Sequence, residues 1–385
     1  MKIDSSLPLP EEDAQAHSAC VVAHLREAIA QHGGFIPFSR YMELVLYAPG
    51  LGYYASGTRK FGADGDFVTG PELTPLYGAA LARQVEAIFA VANGRTIIEL
   101  GAGSGALAAS LLDALAARDA MPERYCVLEV SPDLRARQQA TIATRAPMHA
   151  TRVEWLDRLP DAVDGAVVMN EVLDAIPPQF IVRQGGRWLE RGVTWDGALR
   201  FAERPLDDAR LATLAAARFP PDGDYASEVN PAAEALVTTI ARRIASGALV
   251  VVDYGFPRHE YYHPQRREGT LVGHYRHRVH HDPFLWPGLS DLTAHVDFTA
   301  IAEAGERGGA EVAGFATQAS SLVGCGILEL LAAVGTPDSA DYLRAAAAVQ
   351  KLVSPAEMGE LFKVMLLSKG TRCESLAATD MTHRL

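Results

Sequence analysis

Thr96-Ile-Ile-Glu99-Leu-Gly101-Ala-Gly103-Ser-Gly105-Ala106 is the stretch on which the fold turns. Thr96 to Leu100 is a short β-branched apolar run and reads as a strand; Gly105 to Arg118 reads as a helix. Between them, glycines at alternate positions let the backbone turn tightly and approach a ligand beside the positive end of that helix. A purely structural left-handed turn would use the same residues, so context must separate the two readings. Glu129 supplies it. It ends the next strand, Tyr125 to Val130, 24 residues after Gly105. There a carboxylate can accept hydrogen bonds from both hydroxyls of a ribose.

The spacing also separates two nucleosides. Dinucleotide binders favour G-x-G-x-x-G, whereas Gly101, Gly103 and Gly105 follow G-x-G-x-G. Glu99, two residues before the first glycine, would repel a pyrophosphate but could orient a cationic sulfonium or amino group. The pattern resembles the first motif of class I S-adenosylmethionine-dependent methyltransferases. A nicotinamide-dependent oxidoreductase is the rival from another enzyme class.

Outward from this loop the chain alternates. Pro132–Arg145 is a helix with proline at its start. Val153–Leu156 and Gly165–Asn170 are strands, and Ala248–Tyr254 is a solidly apolar fifth. Such alternation means βαβ units, an α/β fold with a mostly parallel Rossmann-like sheet and an antiparallel closing strand at Phe362–Ser368. Phe180–Phe201 reads as a hairpin turned at Gly185-Gly186 and Asp196-Gly197. Helices are expected at Ala14–Gln31, Pro75–Asn93, Asp207–Arg218, Pro231–Ser246, Asp297–Gly308 and Ala319–Val334, with a strand at Glu311–Thr317. Phe35 to about Thr74 is loop-rich and aromatic. The expected division is residues 1–93 as a helical and loop-rich lid segment, and 94–385 as the main domain with insertions near 178–230 and 256–295.

The 385 residues carry 35 Lys and Arg against 47 Asp and Glu, a net charge of −12. That balance argues against nucleic acid as a partner and suits a cationic ligand. Cys20, Cys126, Cys325 and Cys373 stand far apart without a CxxC, so neither a disulfide scaffold nor a zinc ribbon is expected. No apolar run approaches the roughly 18 to 20 residues of a membrane span. The acidic N-terminus suits neither a secretory signal nor a transit peptide, which leads to an expectation of a cytoplasmic protein.

A second signal is Met169-Asn170-Glu171-Val-Leu-Asp174-Ala-Ile-Pro177, at the carboxyl end of a strand, where open α/β sheets carry their ligands. Further segments are Phe38-Ser-Arg-Tyr41-Met42, Tyr47-Ala-Pro49-Gly50-Leu-Gly52-Tyr53-Tyr54, Gly65-Asp66-Phe67-Val-Thr69 with Pro71-Glu72, Asp253-Tyr254-Gly255, and Asp291-Leu-Thr-Ala-His295-Val-Asp297-Phe298. Together they resemble the MidA-like family of class I methyltransferases, from about residue 33 to 300. The resemblance implies S-adenosyl-L-methionine as cosubstrate without a metal. It also implies a protein arginine as acceptor, on a core subunit of respiratory complex I.

An arginine acceptor makes chemical sense of the acids. Carboxylates hold a guanidinium bidentately and leave one nitrogen lone pair free. Glu171 and Asp174 are the candidates for that clamp, and Asn170 for positioning donor or target. Glu99, Gly101, Gly103, Gly105, Glu129 and Asn170 are the donor-binding set. Tyr53, Tyr54, Gly65, Asp66, Phe67 and Glu72 are read as lid and acceptor channel, with His295 and Asp297 facing the acceptor or forming a structural pair. His274, His277, His280 and His281 invite a metal reading, but arginines interleave and no cysteine lies near. Leu322–Val334, apolar nearly all round, is either core or a homodimer contact. An assembly chaperone that holds the nucleoside only structurally is the third reading.

Overall fold

The computed structural model describes residues 7–56 and 69–385. The chain forms two compact units: one of Met1–Phe67, Asp174–Ala233 and Arg258–His295, the other of Val68–Leu173, Glu234–Pro257 and Val296–Leu385.

The second unit is built on one sheet. Its strands are β1 (Thr96–Leu100), β2 (Arg124–Leu128), β3 (Val153–Leu156), β4 (Val163–Asn170), β5 (Ile244–Phe256), β6 (Glu311–Thr317) and β7 (Phe362–Lys369). They lie in the order β3-β2-β1-β4-β5-β7-β6. Pairing is parallel from β3 to β5, and β7 is antiparallel to both its neighbours. A short strand, Val296–Asp297, adds to the far end of β5. β5 is buried almost throughout, in keeping with its continuous apolar run: a central strand buried on both faces needs apolar side chains on both.

Among its helices are α1 (Pro75–Phe89), α2 (Ala106–Ala117), α3 (Pro132–Arg145), α4 (Phe298–Arg307), α5 (Gln318–Gly324), α6 (Ile327–Ala332) and α7 (Ala340–Val353). Ser131 caps α3, its hydroxyl accepting from Leu134 N at 3.3 Å, and Pro132 fills the first turn. One apolar core joins α1 and α2 to the sheet through Leu81, Val85, Ile88, Leu111, Leu115, Tyr125 and Val168.

In three places the outcome differs from the sequence reading. The helix expected over Ala319–Val334 is two helices, broken at Gly326, which sits at φ +74° and begins α6. Its Leu322, Cys325, Ile327 and Leu331 are core, while Val323, Leu328 and Val334 are exposed. The loop-rich stretch after Phe35 holds a ten-residue helix, Phe38–Tyr47. Phe38, Tyr41, Met42 and Val45 recur there at helical spacing and are buried, but the surrounding glycines and prolines masked the period. The helix expected over Pro231–Ser246 is Pro231–Arg243, and Ile244–Ser246 already belong to β5.

The first unit is antiparallel. Gln179–Gln184, Arg187–Trp195 and Leu199–Pro205 form a meander, extended by Ile36–Pro37 and Tyr225–Val229. Gly185, Gly186 and Gly197 sit at φ +54°, +76° and +70° in its turns, as tight hairpins require. A second sheet joins Val272–Tyr275 to Arg278–His280 and Asp291–Thr293. Helices Glu12–Gln31 and Phe38–Tyr47 pack Leu25, Ile29, Phe38, Tyr41 and Met42 into its core. Among the described residues, no helix is long and apolar enough to cross a membrane.

Candidate active site

The strand order reverses at β1, which has β2 on one side and β4 on the other, and ligands bind at such a switch point beyond the carboxyl ends of the strands. Leu100 and Met169 are paired in register, so the glycine loop and Asn170-Glu171 leave the sheet at one level. Gly101, Gly103 and Gly105 adopt φ +61°, +53° and +87°, a region that penalises any side chain. A β-carbon on Gly101 would lie 3.2 Å from Val172 Cγ2. Glu72, expected on the acceptor side, instead receives the hydroxyl of Ser104 from within the glycine loop, and Arg145 lies 3.4 Å from its other oxygen.

Glu129 is buried. Its Oε1 accepts from Ser131 N at 2.9 Å and its Oε2 from Gln138 Nε2 at 2.9 Å. Beside it Val130 is 86% exposed, the most exposed large apolar side chain among the described residues. An exposed apolar side chain thus directly follows a buried, hydrogen-bonded carboxylate. Sequence reading passed over this valine because it merely completes a strand.

Glu99 points into the core beneath the loop, 2% exposed, and accepts the Tyr125 hydroxyl at 2.6 Å. Burial pushes its carboxyl up to about 7, the Tyr125 hydrogen bond opposes that rise, and Glu129 adds to it. The sign follows. Below the ordinary value of 4.5 both folded and unfolded chains hold the proton. Between there and about 7 the unfolded chain loses it first, so stability falls as pH rises through that window. Across those bounds the penalty is on the order of 3 kcal/mol at neutral pH and above. Glu99→Gln is therefore expected to raise the thermal midpoint relative to the parent at pH 8 and leave it unchanged near pH 4. Equal shifts at both values would show that Glu99 does not carry the penalty.

At the end of β4 a chain of polar groups leads outward. Tyr77 donates its hydroxyl to Asn170 Oδ1 at 2.6 Å, and Asn170 Nδ2 donates to Glu171 Oε1 at 3.1 Å. Tyr77 stays protonated, because burial and then Glu171, Asp253 and Cys325 drive its pKa far up. Glu171 sits at φ +54°, a left-handed conformation costing a non-glycine residue about 1 kcal/mol. Hydrogen bonds hold it there. Glu171 N donates to Val252 O at 2.8 Å, while Asp253 Oδ2 accepts Val172 N at 3.2 Å and Leu173 N at 2.9 Å. Asp253 is fully buried and uses its other oxygen for Tyr254 N at 2.9 Å. Tyr77 and Asp253 were not among the site residues read from sequence; each lies 80 or more positions from the group it holds.

The remaining candidates are divided between the two units. Asp174 opens the antiparallel unit, where its backbone oxygen accepts Ala294 N at 3.1 Å. In that unit Tyr54 donates to both carboxylate oxygens of Asp291 at 2.9 Å, and its ring stacks on Tyr47 with centroids 5.6 Å apart. Tyr53 is buried against Tyr54. His295 N donates to Thr270 Oγ1 at 3.0 Å. Asp297, in the parallel-sheet unit, is the N-cap of α4, accepting Ala300 N at 3.1 Å, the commoner structural role. Gly65, Asp66 and Phe67 lie outside the described residues. The histidine-rich stretch forms the small sheet: burial pushes His274 down to about 4, and His280 Nε2 meets Ser290 Oγ at 3.0 Å. Among the described residues no group of three or more His, Cys, Asp or Glu is arranged to hold a metal.

A family model described as "Putative S-adenosyl-L-methionine-dependent methyltransferase" matches residues 78–316. The chain is similar to a solved Burkholderia thailandensis protein, a methyl transferase candidate bound to S-adenosyl-homocysteine. They are 50% identical, with 99% of this chain and 100% of that one covered and a TM-score of 0.94. It is also similar to the mitochondrial protein arginine methyltransferase NDUFAF7 homolog of Drosophila melanogaster, at 28% identity over 96% of this chain and 90% of that one. The mouse NDUFAF7 protein, likewise named a mitochondrial protein arginine methyltransferase, is 28% identical over 90% and 84%. These names overturn the expectation of a cytoplasmic protein, since the relatives are mitochondrial. The expectation rested on the acidic residues at the start of the sequence, and an address is a short receptor-read segment that such residues do not rule out.

Proposed function

The chain belongs to this family of S-adenosyl-L-methionine-dependent methyltransferases, and on that premise we propose that its acceptor is an arginine side chain of a protein, held by Glu171. The observation that carries the proposal is the strained Glu171, fixed at the level of the donor loop one strand away. Two relatives named as protein arginine methyltransferases, aligned over 90% or more of this chain, point to the same acceptor. A family with S-adenosyl-homocysteine in a solved member favours the methyl donor over a dinucleotide.

The residues fit the donor. Three glycines in left-handed conformations leave the backbone bare at the start of α2, Glu129 keeps lone pairs for a ribose, and Val130 stands exposed beside it. When bound, the donor supplies an electrophilic methyl group on a sulfonium. What this chain must add is alignment, and orienting two reactants is worth up to about 7 to 11 kcal/mol. Glu171 offers the charge-assisted hydrogen bonds that hold a guanidinium and draw its charge toward the held nitrogens. Asn170, oriented by the Tyr77 hydroxyl, fixes that carboxylate from behind.

The acceptor protein implied by the family resemblance is a core subunit of respiratory complex I, so peptides covering its arginines form the first panel. Mass spectrometry after incubation with S-adenosyl-L-methionine is expected to find methylarginine. Glu171→Gln is expected to lower kcat by about 100-fold while donor affinity holds. Methyl groups on lysine or on a terminal amine, or a rate indifferent to Glu171, would overturn the proposal.

A further inference from the structure

Gln138 has no part in the chemistry described so far, yet it is fully buried on α3, among the groups that surround the donor loop. Its Nε2 lies 2.9 Å from Glu129 Oε2 and 3.2 Å from Gly103 O, and its Oε1 accepts Trp155 Nε1 at 3.0 Å. The indole N–H is a donor only, so Oε1 must face Trp155 and the amide cannot turn over. The two amide protons then meet two acceptors. Its backbone closes the same space: a β-carbon on Gly105 would lie 3.0 Å from Gln138 Cα.

We propose that Gln138 is a positioning residue for the methyl donor: locked by Trp155, its amide holds Glu129 and the glycine loop in the arrangement that receives the nucleoside. The lone-pair count supports it. A carboxylate offers about four acceptor positions, two per oxygen. Ser131 N uses one on Oε1 and Gln138 one on Oε2, which leaves one on each oxygen, a pair spaced for vicinal hydroxyls. The same amide fixes the Gly103 carbonyl, so loop and acid are set relative to one another before any ligand arrives. Preorganisation of this kind lowers the cost of binding without adding a contact to the ligand. The proposal rests on Glu129 being the ribose acid.

The test titrates the full-length protein by calorimetry with S-adenosyl-L-methionine and, separately, S-adenosyl-homocysteine. Gln138→Glu keeps shape and volume but sets a second carboxylate against Glu129 and the Gly103 carbonyl. At pH 8 it is expected to weaken both ligands equally, by roughly ten- to a hundredfold, as loss of a hydrogen bond to a charged group predicts. Near pH 5.5 protonation restores a donor, and much of that affinity should return. Trp155→Phe frees the amide to turn and is expected to weaken both ligands by roughly threefold to tenfold. Glu129→Ala is measured alongside. If it loses binding while both other variants match the parent, the positioning role is overturned and the ribose acid stands. A loss in Gln138→Glu that pH does not relieve marks a merely structural residue and also overturns it. Unchanged binding in Glu129→Ala removes the premise and the proposal together.

Discussion

The double variant Gly101→Val, Gly103→Val is expected to weaken S-adenosyl-L-methionine binding by at least about a hundredfold while leaving a folded protein. Both glycines sit at positive φ, +61° and +53°, where an L side chain costs roughly 1–2 kcal/mol per residue and a β-branched one more. At Gly101 there is also no room. The new Cβ would press on Val172 Cγ2 at 3.2 Å, and Val172 cannot retreat freely because its N–H is held by buried Asp253. The loop must therefore open, and Gly101 N then risks its 3.1 Å bond to Leu128 O. Calorimetry with donor, and circular dichroism as the folding control, check this. Donor affinity like that of the parent would mean that the backbone of this loop does not touch the nucleoside.

The second large effect concerns a residue that touches no reactant. Asp253→Ala removes the carboxylate oxygen that accepts Val172 N and Leu173 N in a largely buried place. Each orphaned donor costs about 1–3 kcal/mol, so a total of several kcal/mol and a fall in thermal midpoint of roughly 10 °C are expected. Turnover should fall further than stability explains, because the left-handed Glu171 is held from the far side by those same bonds. Asp253→Asn keeps one acceptor and is expected to fall between alanine and the parent in both readouts. A loss of stability with turnover per folded molecule unchanged would separate Asp253 from the positioning of Glu171.

Much of the parallel sheet was legible. Thr96–Leu100, Pro132–Arg145, Val153–Leu156 and Glu311–Thr317 have the bounds their apolar period and flanking punctuation suggest. The glycine loop and Glu129 were legible for the same reason: strand, turn and helix are neighbours in the chain. What stayed hidden is long-range. Tyr77 reaches Asn170 across 93 positions and Asp253 reaches Leu173 across 80, and Gln138 looked like any polar residue of a helix whose mean character is hydrophilic. The helix Phe38–Tyr47 was hidden differently, by turn-forming neighbours on both sides. The break at Gly326 was hidden because glycine is tolerated within helices and only its left-handed conformation makes it a stop.

The order of strands in the parallel-sheet unit has a consequence for biosynthesis. Among the described residues β6 pairs with β7 alone, and β7 inserts between β6 and β5, although it is translated after both. While a ribosome is still adding residues 318–361, β6 has no neighbour and Gly247–Tyr254 of β5 presents a bare apolar edge. Such edges recruit other chains. The nascent protein therefore needs shielding until Phe362–Lys369 emerges and zips the two strands together, and a premature stop codon anywhere in that window should yield aggregate rather than a smaller enzyme.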